Sequence, residues 1–198
     1  MDATAKRPAA DGRRSRSRQA ILSAASKVLS DRGLAQMTVE DILAEAGVAR
    51  ATFYSHFTDK SDVTRAVVAQ MFGRAETMYR HFAALPIADE KAVSVWLGQA
   101  YDQWQAYQRE VSSIVRDIGA AFIAPQLHYL SDFAEALVAD GRHWNCSRDT
   151  ALLRARLLII QLERSMLDAV SGDWPVSKTT LVNELTTLWT SALRRPDV

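Results

Sequence analysis

The stretch from Thr38 to Lys60, TVEDILAEAGVARATFYSHFTDK, constrains the fold of this chain more than any other. Thr38 precedes an apolar-periodic run with acids in its first turn, and a hydroxyl oxygen at such a position accepts a free N–H of the first helical turn. Gly47 is expected to end this helix, because glycine enters the left-handed conformation without strain. A second short helix, Arg50 to Phe57, follows with aromatic residues on its buried side. Two helices joined by a tight glycine turn form a helix-turn-helix.

The other face of the second helix has the composition of a DNA-reading surface. Arg50 is suited to a guanine edge, Thr52 to a base or a thymine methyl, and Tyr54 and Lys60 to phosphates. Thr38 is a second candidate for phosphate contact. The predicted DNA-contacting residues of the motif are Thr38, Ala49, Arg50, Ala51, Thr52, Tyr54, Ser55, His56 and Lys60. The alternative is an ordinary helical hairpin with accidental spacing.

This stretch resembles the DNA-binding motif of the TetR family of bacterial transcription regulators. The resemblance is carried by Thr38, Asp41-Ile42, Ala46-Gly47-Val48, Thr52-Phe53-Tyr54, Phe57 and Lys60. Ala49 departs from the family, which usually has serine there, and Leu43 replaces a usual alanine. Alanine cannot cap a helix, which costs about 1 kcal/mol unless another group caps instead. The resemblance implies a three-helix DNA-binding domain followed by a helical domain that binds a ligand and dimerises.

The first nineteen residues form a basic arm, with six basic side chains against two acidic ones in a chain of net charge +1. A basic end on a near-neutral body indicates a local polyanionic partner. We predict a disordered tail at 1–13, followed by Arg16 and Arg18 as contacts to phosphates or the minor groove. The alternative is a tail that only increases solubility.

Periodicity elsewhere predicts helices throughout and no strands, so the expected fold is all-α. The expected domains are a helix-turn-helix DNA-binding domain at 14–60 and a helical ligand-binding and dimerisation domain at 61–198. The helix boundaries are expected at about 15–32, 62–84, 89–104, 109–121, 125–141, 149–171 and 177–195, with a loop at 143–147.

The helix at 149–171 is apolar on more than one face between Leu157 and Leu162. A helix of this kind must be buried on several sides, and a second subunit would cover one of them. The family resemblance implies a homodimer through the two C-terminal helices, which would read a near-palindromic operator. The alternative is a monomer with a thick core.

Aromatic residues are frequent in the middle of the chain, where they indicate either a core or a ligand pocket. The chain resembles the EthR-like branch of the family, which implies aromatic channel positions at Trp96 and Trp189. In that branch the polar amide positions fall on Ile159 and Leu162 here, so a small apolar or aromatic effector is expected. Candidate pocket residues are Trp96, Tyr101, Gln103, Trp104, Phe122, Phe133, Ile159, Leu162, Glu163 and Trp189. Gln161 is a further polar candidate, but for Glu163 we prefer a capping or surface ion pair with a nearby arginine.

Several classes of function find no support in the sequence. The four histidines lie far apart, so no metal site is predicted, and no nucleophile, phosphate loop or acid pair indicates an enzyme or a cofactor. Cys146 is the single cysteine, which fits a reducing compartment. No apolar run is long enough to cross a membrane, and the expected location is the cytoplasm, at the nucleoid.

The sequence thus predicts a homodimeric repressor that a small ligand releases from double-stranded DNA. One alternative is an activator or a DNA-binding protein that ignores ligands. A remote alternative is a ligand-sequestering or enzymatic helical protein that retains the motif as scaffold.

Overall fold

The computed structural model describes residues 8–86, 88–118 and 129–197, and the regular elements within them are all α-helices. The predicted all-α class is therefore confirmed. The helices are α1 (Pro8–Gln36), α2 (Val39–Ala46), α3 (Arg50–Tyr54), α4 (Lys60–Ala83), α5 (Glu90–Ile118), α6 (Tyr129–Val138), α7 (Arg148–Ser171) and α8 (Lys178–Arg194). Within this part of the chain no helix is both long and apolar enough to cross a bilayer.

The described residues divide into two compact units. One comprises the residues up to Met71 together with the segment from Arg109, and the other comprises Phe72–Gln108 and the residues from Tyr129 onward. Each unit has its own apolar core, built from Ile21, Leu22, Ile42, Phe53 and Phe57 in the first and from Phe82, Trp96, Leu137, Ile159 and Trp189 in the second.

Local chemistry defines both ends of α2, as the sequence predicts. Thr38 forms a capping box: its hydroxyl accepts from the N–H of Asp41 at 3.1 Å, and its own N–H donates to the Asp41 carboxylate at 3.1 Å. Gly47 has φ 63°, in the left-handed region, and donates to the carbonyl of Leu43 at 3.0 Å. Leu43 itself is half-buried, so the larger side chain is accommodated there.

The first helix starts earlier than predicted. It begins at Pro8, not near Ser15, so 8–13 is helical where a disordered tail was expected; residues 1–7 of that tail lie outside the described residues. Proline suits the first helical position, because its missing N–H has no partner there in any case. Gly33, directly after the predicted end of this helix at about residue 32, has φ 78° and interrupts the helical backbone.

The recognition helix is shorter than predicted, since α3 ends at Tyr54 and not at Phe57. The N–H groups of His56 and Phe57 both donate to the carbonyl of Phe53 at 2.9 Å, which tightens the chain into a turn while Phe57 stays buried. The following helix, α4, begins about two residues before the predicted start. Asp59 precedes it and accepts from the N–H of Asp62 at 2.8 Å.

In the second unit, the predicted segments at 89–104 and 109–121 belong to one continuous helix, α5, as far as Ile118. No glycine or proline lies between Trp104 and Arg109 to interrupt it. The segment predicted at 125–141 is observed as α6 from Tyr129 to Val138, with 125–128 outside the described residues.

The last two helices lie within one residue of their predicted bounds. Ser147 and Ser177 are their N-caps, and each side chain accepts from the backbone N–H three residues later. Gly172 ends α7 with φ 84°.

Candidate nucleic-acid interface

α3 presents one buried and one exposed face, as a DNA-reading helix requires. Phe53 is fully buried, whereas Arg50, Ala51 and Ser55 are exposed and Tyr54 is 46% exposed. Thr52 is half-buried, so its side chain is less accessible than the sequence predicts. The predicted base-reading residues therefore share a helix, and Arg50 and Tyr54 lie one turn apart on it.

Arg50 is held by two neighbours. Its Nη1 donates to Glu40 Oε1 at 2.7 Å, which joins α3 to the first turn of α2. Its guanidinium carbon lies 5.6 Å from the centre of the Tyr54 ring, within the range of a cation–π contact. The Tyr54 ring in turn packs edge-on against Phe53 with centroids 5.3 Å apart. A chain of contacts thus runs from the buried core to the exposed guanidinium.

Two residues predicted to contact phosphate also bind groups of the protein itself. The Thr38 hydroxyl donates to the Asp41 carboxylate at 2.6 Å, and this hydrogen bond, more than the nearby Arg32, lowers the pKa of Asp41. Lys60 donates from Nζ to the carbonyl of Leu34 at 3.0 Å. Lys60 thus connects the start of α4 to the turn that follows Gly33.

The basic arm lies beside the end of the recognition helix. Arg18 is exposed and its guanidinium carbon lies 5.3 Å from the centre of the Phe57 ring. Burial lowers the pKa of His56, and the charges of Arg14 and Arg18 lower it further. Arg16 is exposed and donates to the carbonyl of Gly12 at 3.1 Å. The structure therefore places the charges of Arg14 and Arg18 near His56.

Ala49 occupies the N-cap of α3 in an extended conformation, φ −68° and ψ 150°, and its side chain makes no capping hydrogen bond. Its carbonyl accepts from the N–H groups of Thr52 and Phe53. The first turn of α3 therefore lacks the side-chain cap that a serine could supply.

Four of the predicted pocket residues belong to the packed core of the second unit. Phe133, Ile159, Leu162 and Trp189 are at most 2% exposed. Trp189 packs on Trp96 with ring centroids 5.1 Å apart. Tyr101 lies at the edge of this core and Trp104 packs against it, while Phe122 is outside the described residues. The aromatic spacing therefore indicates a core at these positions.

A cleft of about 270 Å³ lies between α4 and α5, and we refer to it as the α4–α5 cleft. Its lining residues are Arg74, Thr77, Met78 and His81 of α4 with Trp96, Gln99 and Gln103 of α5. The sequence-based pocket includes Trp96 and Gln103 but misses the others. Their spacing of three, four and seven along each helix was the available signal, since such residues share a face.

Among the residues whose side chains the structure describes, Glu163 has no arginine partner of the kind expected. Its carboxylate accepts from the Tyr129 hydroxyl at 3.3 Å, and burial raises the pKa of Glu163 to about 7. Burial also raises the pKa of Tyr129 to about 12. The neighbouring Arg164 pairs with Asp168 at 2.7 Å. Successive positions of a helix point in different directions, and here the acid points inward.

An apolar stripe is exposed on the C-terminal helices. Leu153, Leu157 and Ile160 of α7 are 58%, 60% and 49% exposed, and Leu188 of α8 is 52% exposed. The three α7 residues recur at helical spacing and so lie on one face.

In the described parts of the chain, no group of histidine, cysteine and acidic side chains could hold a metal ion.

Comparison with known proteins matches the first unit to a family. Residues 21–67 match the model of a protein family that is described as "Bacterial regulatory proteins, tetR family". Over 196 residues the chain is 23% identical to the HTH-type transcriptional regulator EthR of Mycolicibacterium smegmatis, covering 94% of this chain and 88% of that protein.

Solved structures share the fold. A candidate TetR-family transcriptional regulator from Mesorhizobium loti superposes with a TM-score of 0.69 at 20% identity, covering 91% of this chain and 96% of that one. The transcriptional regulator FadR of Bacillus subtilis, solved in complex with stearoyl-CoA, superposes with a TM-score of 0.57 at 18% identity, covering 88% and 98%.

Proposed function

We propose that this chain, which belongs to the TetR family of bacterial regulatory proteins, is a transcriptional repressor. It would leave its operator when a small molecule binds. The family comprises DNA-binding transcriptional regulators and not enzymes. As such a regulator, the protein would act in the cytoplasm, at the nucleoid.

The observation that carries this proposal is the exposed face of α3. Arg50 and Tyr54 stand there one turn apart, on a helix whose opposite face is anchored by the buried Phe53. Arginine and tyrosine on a short rigid helix are suited to base edges and phosphates in the major groove. Arg14 and Arg18, whose charges act on the neighbouring His56, extend this surface with further positive charge for the backbone.

A homodimer through α7 and α8 accounts for the apolar stripe. Monomeric proteins rarely leave large apolar side chains exposed together, and a two-fold partner would cover the stripe on both subunits. Two recognition helices about one duplex turn apart would then read a near-palindromic operator.

The α4–α5 cleft is the proposed point at which a small effector is recognised. Trp96 and Met78 supply an apolar wall to this cleft. An effector with an apolar or aromatic body suits such a wall. FadR, with stearoyl-CoA bound, is a precedent within the fold for a ligand with a long apolar chain. Effector binding would change the spacing of the two recognition helices, so that the dimer fits only one half-site.

Binding of the purified protein to DNA from its own upstream region, against random duplex DNA across a salt series, tests this function. Tight and salt-sensitive binding that prefers the upstream region is the expected result. Equal and weak binding to both would contradict a specific regulator of its own region. Denaturing the protein and searching for a released small molecule would then show whether the preparation was already loaded with effector.

Arg50→Ala tests the assignment of Arg50 to base reading. We expect it to weaken specific binding by a factor corresponding to about 1–3 kcal/mol while binding to random DNA changes less. Measurement of both affinities at one salt concentration decides the matter, because equal losses would mean that Arg50 contacts phosphate only.

A further inference from the structure

Glu40 is an acidic residue at the predicted DNA-binding surface, where a carboxylate would at first sight oppose binding. It lies in the first turn of α2, and its Oε1 accepts from Arg50 Nη1 at 2.7 Å. Both side chains are largely exposed, 63% for Glu40 and 64% for Arg50. An exposed ion pair of this kind contributes little to stability. Its importance must lie in what it does to the guanidinium.

The pair restricts the directions in which Arg50 can donate. A guanidinium has five N–H donors, and in this structure one nitrogen is engaged by Glu40 while the Tyr54 ring lies under its carbon. Because the Arg50 side chain is already restricted in the free protein, it loses less conformational entropy when it binds DNA. Arg50 is also the one basic residue within the RATFY sequence of α3, so the orientation of this group dominates the charge of the helix.

The carboxylate has a second effect that depends on the kind of DNA. Phosphates supply most of the attraction to random DNA, and a negative charge beside Arg50 cancels part of it. At a matching site, the same carboxylate can accept from the N4 amino group of cytosine while Arg50 donates to guanine. The cost of Glu40 is therefore larger on random DNA than on an operator whose G·C pairs place a cytosine N4 amino group within reach of the carboxylate.

We propose that Glu40 is a specificity-determining residue, which holds Arg50 for base reading and penalises binding to the DNA backbone alone. This inference rests on the proposed DNA-binding function and deepens it, by naming G·C-containing half-sites as the preferred target class.

The other acids of α2 have different surroundings. Asp41 forms hydrogen bonds within the capping box and an ion pair with Arg32, so its negative charge is already paired inside the motif. Glu45 pairs with Lys27 of α1 at 2.7 Å. Glu45 therefore offers a matched control: it is an α2 glutamate in an ion pair of the same length, with a partner outside the recognition helix.

The experiment compares Glu40→Gln with Glu45→Gln and the wild-type chain, on the preferred upstream duplex and on random duplex DNA, over a salt series. Both substitutions remove one negative charge and keep the shape of the side chain. For Glu40→Gln we expect random-duplex binding to tighten on the order of threefold to tenfold, with the slope of log affinity against log salt steeper by up to about 1. Its ratio of specific to random affinity should fall, and that of Glu45→Gln should stay near the wild-type ratio.

Three outcomes would overturn the inference: equal changes in both variants, an unchanged ratio for Glu40→Gln, or weaker binding of Glu40→Gln to random DNA. A wild-type chain that does not discriminate between the two duplexes would instead refute the proposed function, and the inference with it. Unfolding midpoints of the three proteins, expected to agree closely because both carboxylates are exposed, separate an effect on DNA recognition from an effect on folding.

Discussion

At the scale of single residues, Glu163 is an acid in apolar surroundings. Its carboxylate accepts from Tyr129, whose ring lies 5.3 Å from that of Phe133, and its charge is one cause of the raised pKa of the buried Tyr79. Burial raises the pKa of Glu163 from 4.5 to about 7. Around neutral pH the carboxyl group is therefore close to half protonated in the folded chain and ionised in the unfolded chain.

This shift predicts that stability falls as pH rises from about 4.5 to about 7. In that window the folded chain binds the proton that the unfolded chain has released, so the penalty is absent below it and complete above it. Its size is on the order of 3 kcal/mol, since one pKa unit corresponds to about 1.4 kcal/mol. Glu163→Gln removes the charge and should raise the free energy of unfolding at pH 8 with little change at pH 4.5.

Urea unfolding at several pH values between 4.5 and 8 would measure this effect. Glu184→Gln, which removes an exposed carboxylate of α8, is the control and should follow the wild-type curve. A Glu163→Gln protein with an unaltered pH dependence would show that Glu163 is not responsible.

At the scale of elements, the helices of this chain differ in how their first turns are capped. Thr38, Ser147 and Ser177 each place a side-chain oxygen on the backbone N–H three residues later. α3 begins with Ala49, whose side chain has no such oxygen. The five-residue recognition helix thus lacks a stabilising contact that its neighbours have, and packing of Phe53 must compensate.

Ala49→Ser is expected to stabilise the unit that contains α3 by about 0.5–1 kcal/mol. The extended backbone at residue 49 already suits an N-cap, so no rearrangement is needed. Ser177→Ala is the reverse control and should destabilise α8 by a similar amount. Urea unfolding monitored by circular dichroism measures both changes, and a destabilised Ala49→Ser protein would contradict the prediction.

At the scale of the whole molecule, the exposed apolar stripe is the surface that the proposed homodimer would bury. Leu153, Leu157, Ile160 and Leu188 would remain in water in a monomer, whereas other apolar side chains of α7 and α8, such as Leu158, Leu162 and Trp189, pack into the core. Covering them in a partner subunit would also supply the second recognition helix that an operator with two half-sites needs.

Leu157→Glu places a charge in the middle of this stripe, and we expect the protein to change from a dimer to a monomer. Binding to its own upstream region should weaken strongly, because one recognition helix would be left to bind alone. Light scattering after size exclusion gives the mass. Val95→Glu is the matched control, since Val95 is equally exposed, at 55%, but lies on α5. A Leu157→Glu protein that remains a dimer would place the interface elsewhere.

Much of the fold and part of the candidate site could be predicted from the sequence, where the determining contacts are local. The cap at Thr38, the left-handed Gly47 and the serines before α7 and α8 each act within three or four residues, so their patterns can be read directly. The exposed second face of α7 could likewise be predicted from its excess of apolar residues. The sequence predicted two helices where α5 is continuous. The absence of a helix-breaking glycine or proline matters more there than a weak interruption in the apolar periodicity.

By itself, the sequence determined the all-α class, the helix-turn-helix and the placement of Arg50 on its exposed face. The tertiary structure alone decided which aromatic residues pack as core, that Glu163 points to Tyr129, and that Glu40 holds Arg50. The physical reason is sequence separation. Tyr129 and Glu163 are 34 residues apart and Glu40 and Arg50 are ten apart, on different helices, so their contacts exist only after those helices have packed.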